Sequence, residues 1–330
     1  MSDPFVSAVI PAYNCEHTIA KTIEALLAQD CRSDFEIIVV DDGSVDGTAG
    51  IVQNFFKVRY IHQDNAGPAA ARNRGYKESR GQFVFFTDSD CVAQKDCLQK
   101  LLDGFRAPDI AVVSGSYGIA NPESLLARCI HQEIVFRHQH LMPVFPKSFG
   151  SFNFCVSKGV FAQVGGFNTG YRYASGEDND LSYKIVKAGF RIYFEKKALV
   201  DHYHTSHLGK YLREQYRHGF WRAKMYLDHS NMACADDYTF WKDVLEVPWA
   251  LACLVCAGVL ILNLLFIKYL LILVTISFLF FEIGWGWFIT KAISPSFYYG
   301  LVMFLRSFAR TFGFSTGMLQ FIFNKFAKKL

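Results

Sequence analysis

Three largely apolar runs, residues 6–10, 35–40 and 82–87, constrain this chain more than any other feature. Each is short, rich in β-branched or aromatic residues, and followed by polar turn residues, as buried strands are. Between them lie helical patterns. Residues 16–29 place Ile19, Ile23, Leu26 and Leu27 on one side, and residues 48–56 and 69–78 read as two more helices. Residues 58–61 and 110–114 supply further strands. Strands without an exposed polar face, joined by helices, form a parallel sheet covered on both sides. The expected fold class is therefore α/β, with a Rossmann-like, mostly parallel sheet. Ligands of such sheets bind beyond the carboxyl ends of the strands. Two of those ends are acidic here, Asp41-Asp42 and Asp88-Ser89-Asp90, so both pairs are expected to line one cleft.

Asp88 and Asp90 stand two apart, directly after the run Gln82-Phe83-Val84-Phe85-Phe86. In an extended segment such residues point the same way. Two carboxylates aimed at one point suit a hard cation, Mg²⁺ or Mn²⁺, which commonly bridges to substrate phosphates. The competing reading is an acidic turn at a strand end. The stretch 120–206 is less regular. It contains Gly165-Gly166-Phe167, then Gly176-Glu177-Asp178-Asn179-Asp180-Leu181 at the start of a helix. A strand at 191–194 follows, and then Asp201-His202-Tyr203-His204. Acids in a first helical turn also stabilise the helix dipole, which is the rival to any chemical role for Glu177, Asp178 and Asp180.

Composition changes sharply near Val247. Residues 247–267 carry no charge and residues 269–290 carry only Glu282, each run long enough to cross about 30 Å of hydrocarbon as a helix. Lys268 alone separates them, so a hairpin with its turn near residues 263–268 is expected. Residues 296–323 are aromatic but interrupted by Arg306 and Arg310, which favours an interfacial or re-entrant helix over a third span. Lys325, Lys328 and Lys329 suit a cytoplasmic membrane surface. Residues 210–227 read as an amphipathic helix, with Lys210, Arg213, Arg217 and Lys224 on one side and Leu212, Tyr216, Phe220, Ala223 and Leu227 opposite. Met1-Ser2-Asp3-Pro4 lacks the basic start of a signal peptide, so the expectation is a cytosolic N-terminal part anchored from its C-terminal side. Nine cysteines without framework spacing fit a reducing compartment, and Cys253-x-x-Cys256 falls inside an apolar run, where packing is its role. A net charge of +4 with no basic tract argues against a nucleic-acid partner.

Five segments together resemble glycosyltransferase family 2, the inverting, GT-A-fold enzymes that use nucleotide-sugars. They are Val9-Ile10-Pro11-Ala12-Tyr13-Asn14, Val40-Asp41-Asp42-Gly43-Ser44, Asn65-Ala66-Gly67-Pro68 with Ala71-Arg72-Asn73-Arg74-Gly75, Thr87-Asp88-Ser89-Asp90, and Gly176-Glu177-Asp178. Each is weak alone, but the ordered set is specific, and the resemblance covers roughly residues 5–225. It implies that Pro11, Ala12 and Tyr13 meet the base of the donor, and that Asp42, with Asp41 beside it, accepts from uracil or ribose. It further implies that Arg72 faces base or diphosphate. Asp88 would approach ribose and metal, and Asp90 would ligate the metal. Asp178 would be the base that deprotonates the acceptor, with Glu177 as its neighbour. Some relatives also use a histidine after the acidic motif as a metal ligand, which brings in His202 and His204. A place at a membrane-proximal rim is the alternative for both.

The expected organisation is a GT-A domain over residues 1–206, an amphipathic interfacial helix and linker over 207–245, and a membrane region over 246–330. That region would hold transmembrane helices near 247–266 and 269–290 and a further interfacial or membrane segment near 296–323. The expected function is transfer of a sugar from a nucleotide-sugar, a UDP-sugar favoured, to a membrane-associated, lipid-linked glycan at the cytoplasmic membrane. The cofactor would be Mn²⁺ or Mg²⁺. Alternatives are a polyprenyl-phosphate sugar synthase, a processive polysaccharide synthase, and a non-catalytic nucleotide-sugar-binding subunit. Gln215-Tyr216-Arg217-His218-Gly219-Phe220-Trp221 lacks the Gln-x-x-Arg-Trp spacing of the processive enzymes. An intact Asp88, Asp90 and Asp178 argue against a mere binding subunit.

Overall fold

A computed structural model describes residues 4–229, 237, 241–259 and 265–327. The chain divides into two compact units. The first takes its residues from Met1–Pro122, Arg137–His204 and Asp236–Tyr238, and the second from Glu123–Phe136, Thr205–Ala235 and Thr239–Leu330.

The first unit is built on one eight-stranded sheet. In chain order it runs β1 (Val6–Ala12), α1 (Ile19–Leu27), β2 (Phe35–Asp41), α2 (Thr48–Gln53), β3 (Val58–His62), α3 (Pro68–Glu78), β4 (Phe83–Thr87), β5 (Cys91–Ala93), α4 (Cys97–Asp103) and β6 (Ile110–Ile119). Helix α5 (Leu125–His140) follows, and then β7 (Asn153–Ser157), α6 (Lys158–Gln163), α7 (Glu177–Lys187) and β8 (Arg191–His202). The strand order is β3-β2-β1-β4-β7-β6-β8-β5. Strands β1 to β4 pair in parallel, as do β6 and β8, while β7 runs antiparallel to β4 and β6, and β5 antiparallel to β8. The sheet is thus mixed, with its parallel part where the apolar runs fall.

Side-chain parity explains the two-faced core. Val6, Ala8 and Ile10 of β1 join Ile37 and Val39 of β2 on one face, against Ile23, Leu26 and Leu101. Val9, Ile38, Val40, Val84 and Phe86 point to the other face, against Ala71, Phe161, Leu181 and Ile185. Alternation with period two makes every strand residue apolar when both faces are covered. Two strands outrun their expected ends. β6 continues to Ile119 and β8 to His202, pairing with each other as far as Ile119↔His202 across two register irregularities. The polar residues in those extensions hid them from a reading based on apolar runs.

The second unit contains α8 (Leu208–Asp228), α9 (Trp241–Val259), α10 (Leu265–Thr290), α11 (Ile293–Ala327) and the first part of α5. Among the described residues one helix is long and apolar enough to cross a membrane, Phe266–Thr290, with 11% of its most apolar window buried. This matches the second expected span. The first has a described part that ends with α9 at Val259; residues 260–264, with the first two positions of the expected turn, and Lys328 and Lys329 lie outside the described residues, while residues 265–268, expected in the turn, are helical and open α10. A multi-pass arrangement is therefore not supported.

Helix α11 corrects the reading of its arginines. Arg306 is not at a surface: it is buried, with Nη1 2.7 Å from both carboxylate oxygens of Glu133 and Nη2 2.6 Å from Glu246 Oε1. Arg310 donates to Gln215 Oε1 at 2.7 Å. Helix α8 also turns a different face inward than its apolar residues suggest. Tyr211, Gln215, Gly219 and Ala223 are buried and Tyr216 is exposed. Backbone proximity decides this. A Cβ on Gly219 would lie 2.1 Å from the Arg310 carbonyl oxygen, and one on Gly313 would lie 1.9 Å from that of Tyr216. Small residues let two helices meet backbone to backbone, so the contact follows them rather than bulk.

Candidate active site

The carboxyl ends of β1 and β2 are laced together by side chains. The Asp42 amide donates to the Ala12 carbonyl at 2.8 Å, the Asn14 amide to Ser44 Oγ at 2.9 Å, and the Val45 amide to Asn14 Oδ1 at 2.9 Å. Pro11 and Ala12 are buried at this end, and Tyr13 stands beyond them, half exposed, free to present its ring to a planar group. Asp41 is fully enclosed. It accepts from the Ser44 amide at 2.9 Å and from Tyr60 Oη at 2.6 Å. Burial works against its charge, but the Ser44 and Tyr60 hydrogen bonds outweigh burial and hold the carboxyl below its ordinary range. Asp42 accepts from Gln63 Nε2 (2.6 Å) and from the amides of Ala66 (2.9 Å) and Gly67 (2.8 Å). In this structure both aspartates shape the loops at this end of the sheet; three of the roughly four acceptor positions on Asp42 are committed to them.

Asp88 and Asp90 each have a partner of their own. Residues 88–90 form a turn, closed by the Cys91 amide on the Asp88 carbonyl at 3.1 Å, so the two-apart rule for extended chain does not apply. Asp88 Oδ1 receives Arg72 Nη2 at 2.7 Å. Asp90 Oδ1 instead faces His202 Nε2 at 3.4 Å. Strand register explains the second contact: β5 and β8 pair antiparallel with Cys91 opposite His202, which sets the preceding Asp90 beside the imidazole. Asp90, Cys91 and His202 form a group able to hold a metal ion, their ligand atoms within 4.8 Å of one another. A carboxylate and an imidazole are suitable donors for Mn²⁺ or Mg²⁺. Cys91 is a poor one, because complete burial first, and then the charges of Asp90 and Asp88, push its thiol well above the ordinary range. The donor set therefore fits a hard or borderline cation, through Asp90 and His202. His204 stands behind His202, Nδ1 to Nδ1 at 3.0 Å, and its backbone is clasped by Asn121, whose Nδ2 donates to the His204 carbonyl at 2.6 Å.

Arg72 does not reach into an open cleft. It is 1% exposed, and besides Asp88 its Nη1 donates to Glu177 Oε1 at 3.0 Å. Burial opposes its charge, yet Asp88 and then Glu177 more than offset that and raise the guanidinium above its usual value. Glu177 opens α7 after Gly176, which sits at φ 93°, a left-handed backbone that glycine adopts without strain. Of the three acids in this first turn, Glu177 and Asp180 are buried and Asp178 is half-buried. Asp180 pairs with Lys184 at 3.1 Å, a structural role. Burial, followed by the neighbouring Asp178 charge, raises the Glu177 carboxyl, with Arg72 opposing.

The sequence reading assigned no role to several residues at this end of the sheet. Tyr117 stacks on Phe152 and lies edge-on to His202 at 5.2 Å between centroids. It belongs to the β6 extension, beyond the apolar signal. Asn73 receives the Phe167 amide and donates to the Phe167 carbonyl (3.0 and 2.8 Å), holding α3 to the loop before α7. It was visible within the motif Ala71-Arg72-Asn73-Arg74-Gly75, though spacing says nothing of its partner.

Known proteins share the sequence pattern and the fold. The family model for glycosyl transferase family 2 matches residues 7–175. A pre-mycofactocin glycosyltransferase of Mycobacterium tuberculosis is 30% identical over 235 residues, covering 68% of this chain and 48% of that protein. Glycosyltransferase AglE of Haloferax volcanii is 28% identical over 224 residues, covering 66% and 72% respectively. An uncharacterized glycosyltransferase of Rickettsia felis is 34% identical over 134 residues, which span 22% of its length. The chain thus matches under half of the first and last of these relatives. Among solved structures, the mannosyltransferase PcManGT of Pyrobaculum calidifontis, in complex with GDP-Man and Mn²⁺, shares the fold. Its TM-score is 0.62 at 18% identity, over 94% of this chain and 88% of that one.

Proposed function

This chain belongs to glycosyl transferase family 2, and we propose that it transfers a sugar from a nucleoside-diphosphate sugar, a UDP-sugar favoured, to a hydroxyl of a lipid-linked glycan. The product would be a cell-surface or extracellular polysaccharide or glycoconjugate. The observation that carries this reading is the convergence of distant motifs on Arg72. Through that side chain Asp88, at the end of β4, is tied to Glu177, 105 residues from Arg72 in sequence and adjacent to Asp178.

In the proposed reaction Tyr13, with the backbone of Pro11 and Ala12, receives the base, and the loops shaped by Asp41 and Asp42 receive the ribose. Asp88 faces ribose and diphosphate. Asp90 and His202 would hold a divalent cation, with His204 orienting the His202 ring. When bound, that cation supplies positive charge to the leaving diphosphate. Asp178, half-buried at a helix N-terminus that favours its ionised form, takes the proton of the acceptor hydroxyl. The hydroxyl oxygen bonds to the anomeric carbon as the bond from that carbon to the diphosphate oxygen breaks. The electron pair leaves with the nucleoside diphosphate, and the configuration inverts.

The apolar helix Phe266–Thr290, hardly covered by protein, supports a C-terminal membrane anchor; the catalytic unit would lie on the cytosolic side. Ready modification of a cysteine engineered near the N-terminus, in intact cells, by an impermeant reagent overturns that orientation.

Asp178→Asn keeps the shape but cannot take a proton, so transfer falls by about 10²-fold or more, while nucleoside-diphosphate affinity in Mn²⁺ barely changes. Asp90→Ala loses both. Turnover of Asp178→Asn within a few-fold of wild type makes another carboxylate the base. Equal diphosphate affinity with Mn²⁺ and with chelator, by isothermal titration, removes the cation from the mechanism.

A further inference from the structure

We propose that Arg72 and Glu177 are positioning residues: their buried ion pair sets the distance between Asp88 and the first turn of α7, from which Asp178 acts. The inference rests on the glycosyl-transfer reading and assigns it a strut that spans the site.

Three segments remote in sequence meet in this pair: the middle of α3, the turn after β4 and the start of α7. One planar guanidinium serves two different carboxylates through its two terminal nitrogens, at 2.7 Å to Asp88 and 3.0 Å to Glu177. A rigid fork bridging two acceptors fixes both their separation and their angle, which the single point charge of a lysine does not. Arg72 is itself held in place. Its guanidinium lies 5.4 Å from the Phe167 ring centroid, and Asn73, the next residue, grips the Phe167 backbone from both sides. The side chain is therefore committed to the strut and not poised over the diphosphate.

Glu177 is equally unsuited to direct chemistry. It is 1% exposed, with Oε1 already taken, so an acceptor hydroxyl arriving from solvent meets Asp178 first. Its place is the first residue of α7, directly after the left-handed Gly176. Anchoring that residue anchors its neighbour. A base displaced by about 1 Å costs up to about 10²-fold in rate.

The strut has an electrostatic side effect that reveals it. The Arg72 guanidinium, 2.7 Å from Asp88 and so two residues from Asp90, adds a positive charge beside any cation that Asp90 and His202 would hold and opposes its binding. Removing Arg72 therefore slows transfer while strengthening cation binding. A residue that merely supports the fold weakens both.

The test uses the full chain in detergent micelles. Donor kcat and KM are measured with Mn²⁺, and Mn²⁺ affinity is measured separately, without donor, from the free-ion electron paramagnetic resonance signal. Arg72→Met is expected to lower kcat by about 10- to 10²-fold and to tighten Mn²⁺ binding; Glu177→Gln is expected to lower kcat similarly without tightening it. The double variant is expected to be no slower than the slower single, because both substitutions break one strut. Mn²⁺ affinity that falls together with kcat in Arg72→Met overturns the proposal. If Arg72→Met fails to fold, Arg72→Lys and Glu177→Gln decide: kcat within about threefold of wild type in either overturns it. Asp178→Asn separates the two levels of argument. Wild-type turnover in Asp178→Asn refutes the assigned base, whereas an inactive Asp178→Asn beside active Arg72 and Glu177 variants refutes the strut alone.

Discussion

Arg72 in the first unit and Arg306 in the second are both almost wholly buried, and each bridges two carboxylates, yet their surroundings differ. Around Arg306 the two hydrogen-bonded carboxylates are buried with it, and Asp243, 3.9 Å from Arg306 Nη2 and 3.1 Å from Arg310 Nη1, links them to the partly exposed Arg310. Glu133 and Glu246 are buried, Ser307 Oγ donates to Glu246 at 3.0 Å, and Lys242 joins Glu246 to Glu282, the latter at 2.8 Å. Around Arg72 one side is open: the Asp88 side chain is 29% exposed, and next to Glu177 stands the half-buried Asp178. A network whose exposed end is a structural arginine has a fold to hold. One with an accessible carboxylate has a surface at which a ligand's charge enters the balance. The environments invert as well. The first unit packs its core between sheet and helices, whereas in the second α10 and α11 expose Phe266, Leu273, Phe280 and Phe323 while the carboxylates around Arg306 are buried.

The largest effect that separates the two networks is expected at Arg306. Arg306→Met leaves Glu133 and Glu246 buried without their shared partner and costs about 3–5 kcal/mol, read from chemical unfolding of the full chain in micelles. A loss below about 1 kcal/mol means that the network opens to water and erases the contrast with Arg72. Replacing the triad together, as Arg306→Met with Glu133→Leu and Glu246→Leu, is expected to recover part of the loss, since it removes both acids that Arg306→Met strands and leaves Lys242 its Glu282 partner at 2.8 Å. No recovery means that the charges do more than hold helices.

The smallest effect concerns a buried carboxylate in the first unit that serves the fold. Asp41 is held below the ordinary carboxylate range, so the stability it adds is present above its unfolded pKa of about 3.9 and is lost as pH falls through its lower folded value. Asp41→Asn is expected to cost about 1 kcal/mol at neutral pH, the scale of its Tyr60 and Ser44 hydrogen bonds, with the gap to wild type closing below about pH 4. A gap that stays constant down to pH 2 shows that the ionised form of Asp41 contributes nothing.

Much of the first unit is legible from the chain alone, because the information is local. Alternating parity fixes which residues of 6–10 and 35–40 go to each face, and unbroken apolarity requires helices on both. The acids after β2 and β4, the glycine before Glu177 and the ordered motifs likewise stand in the sequence, and with them the family. What the sequence does not determine is where a side chain finds its partner when that partner is far along the chain. Asp88 and Asp90 part company because residues 88–90 turn and because β5 lies in register with β8, 111 positions away at Cys91↔His202. Arg72 finds Glu177 across 105 residues, and Arg306 finds Glu133 across 173. Local periodicity marks Arg306 only as a charge in an apolar helix. Whether it snorkels to a surface or is buried in an ion network depends on which helix packs beside it, and only the tertiary structure decides that.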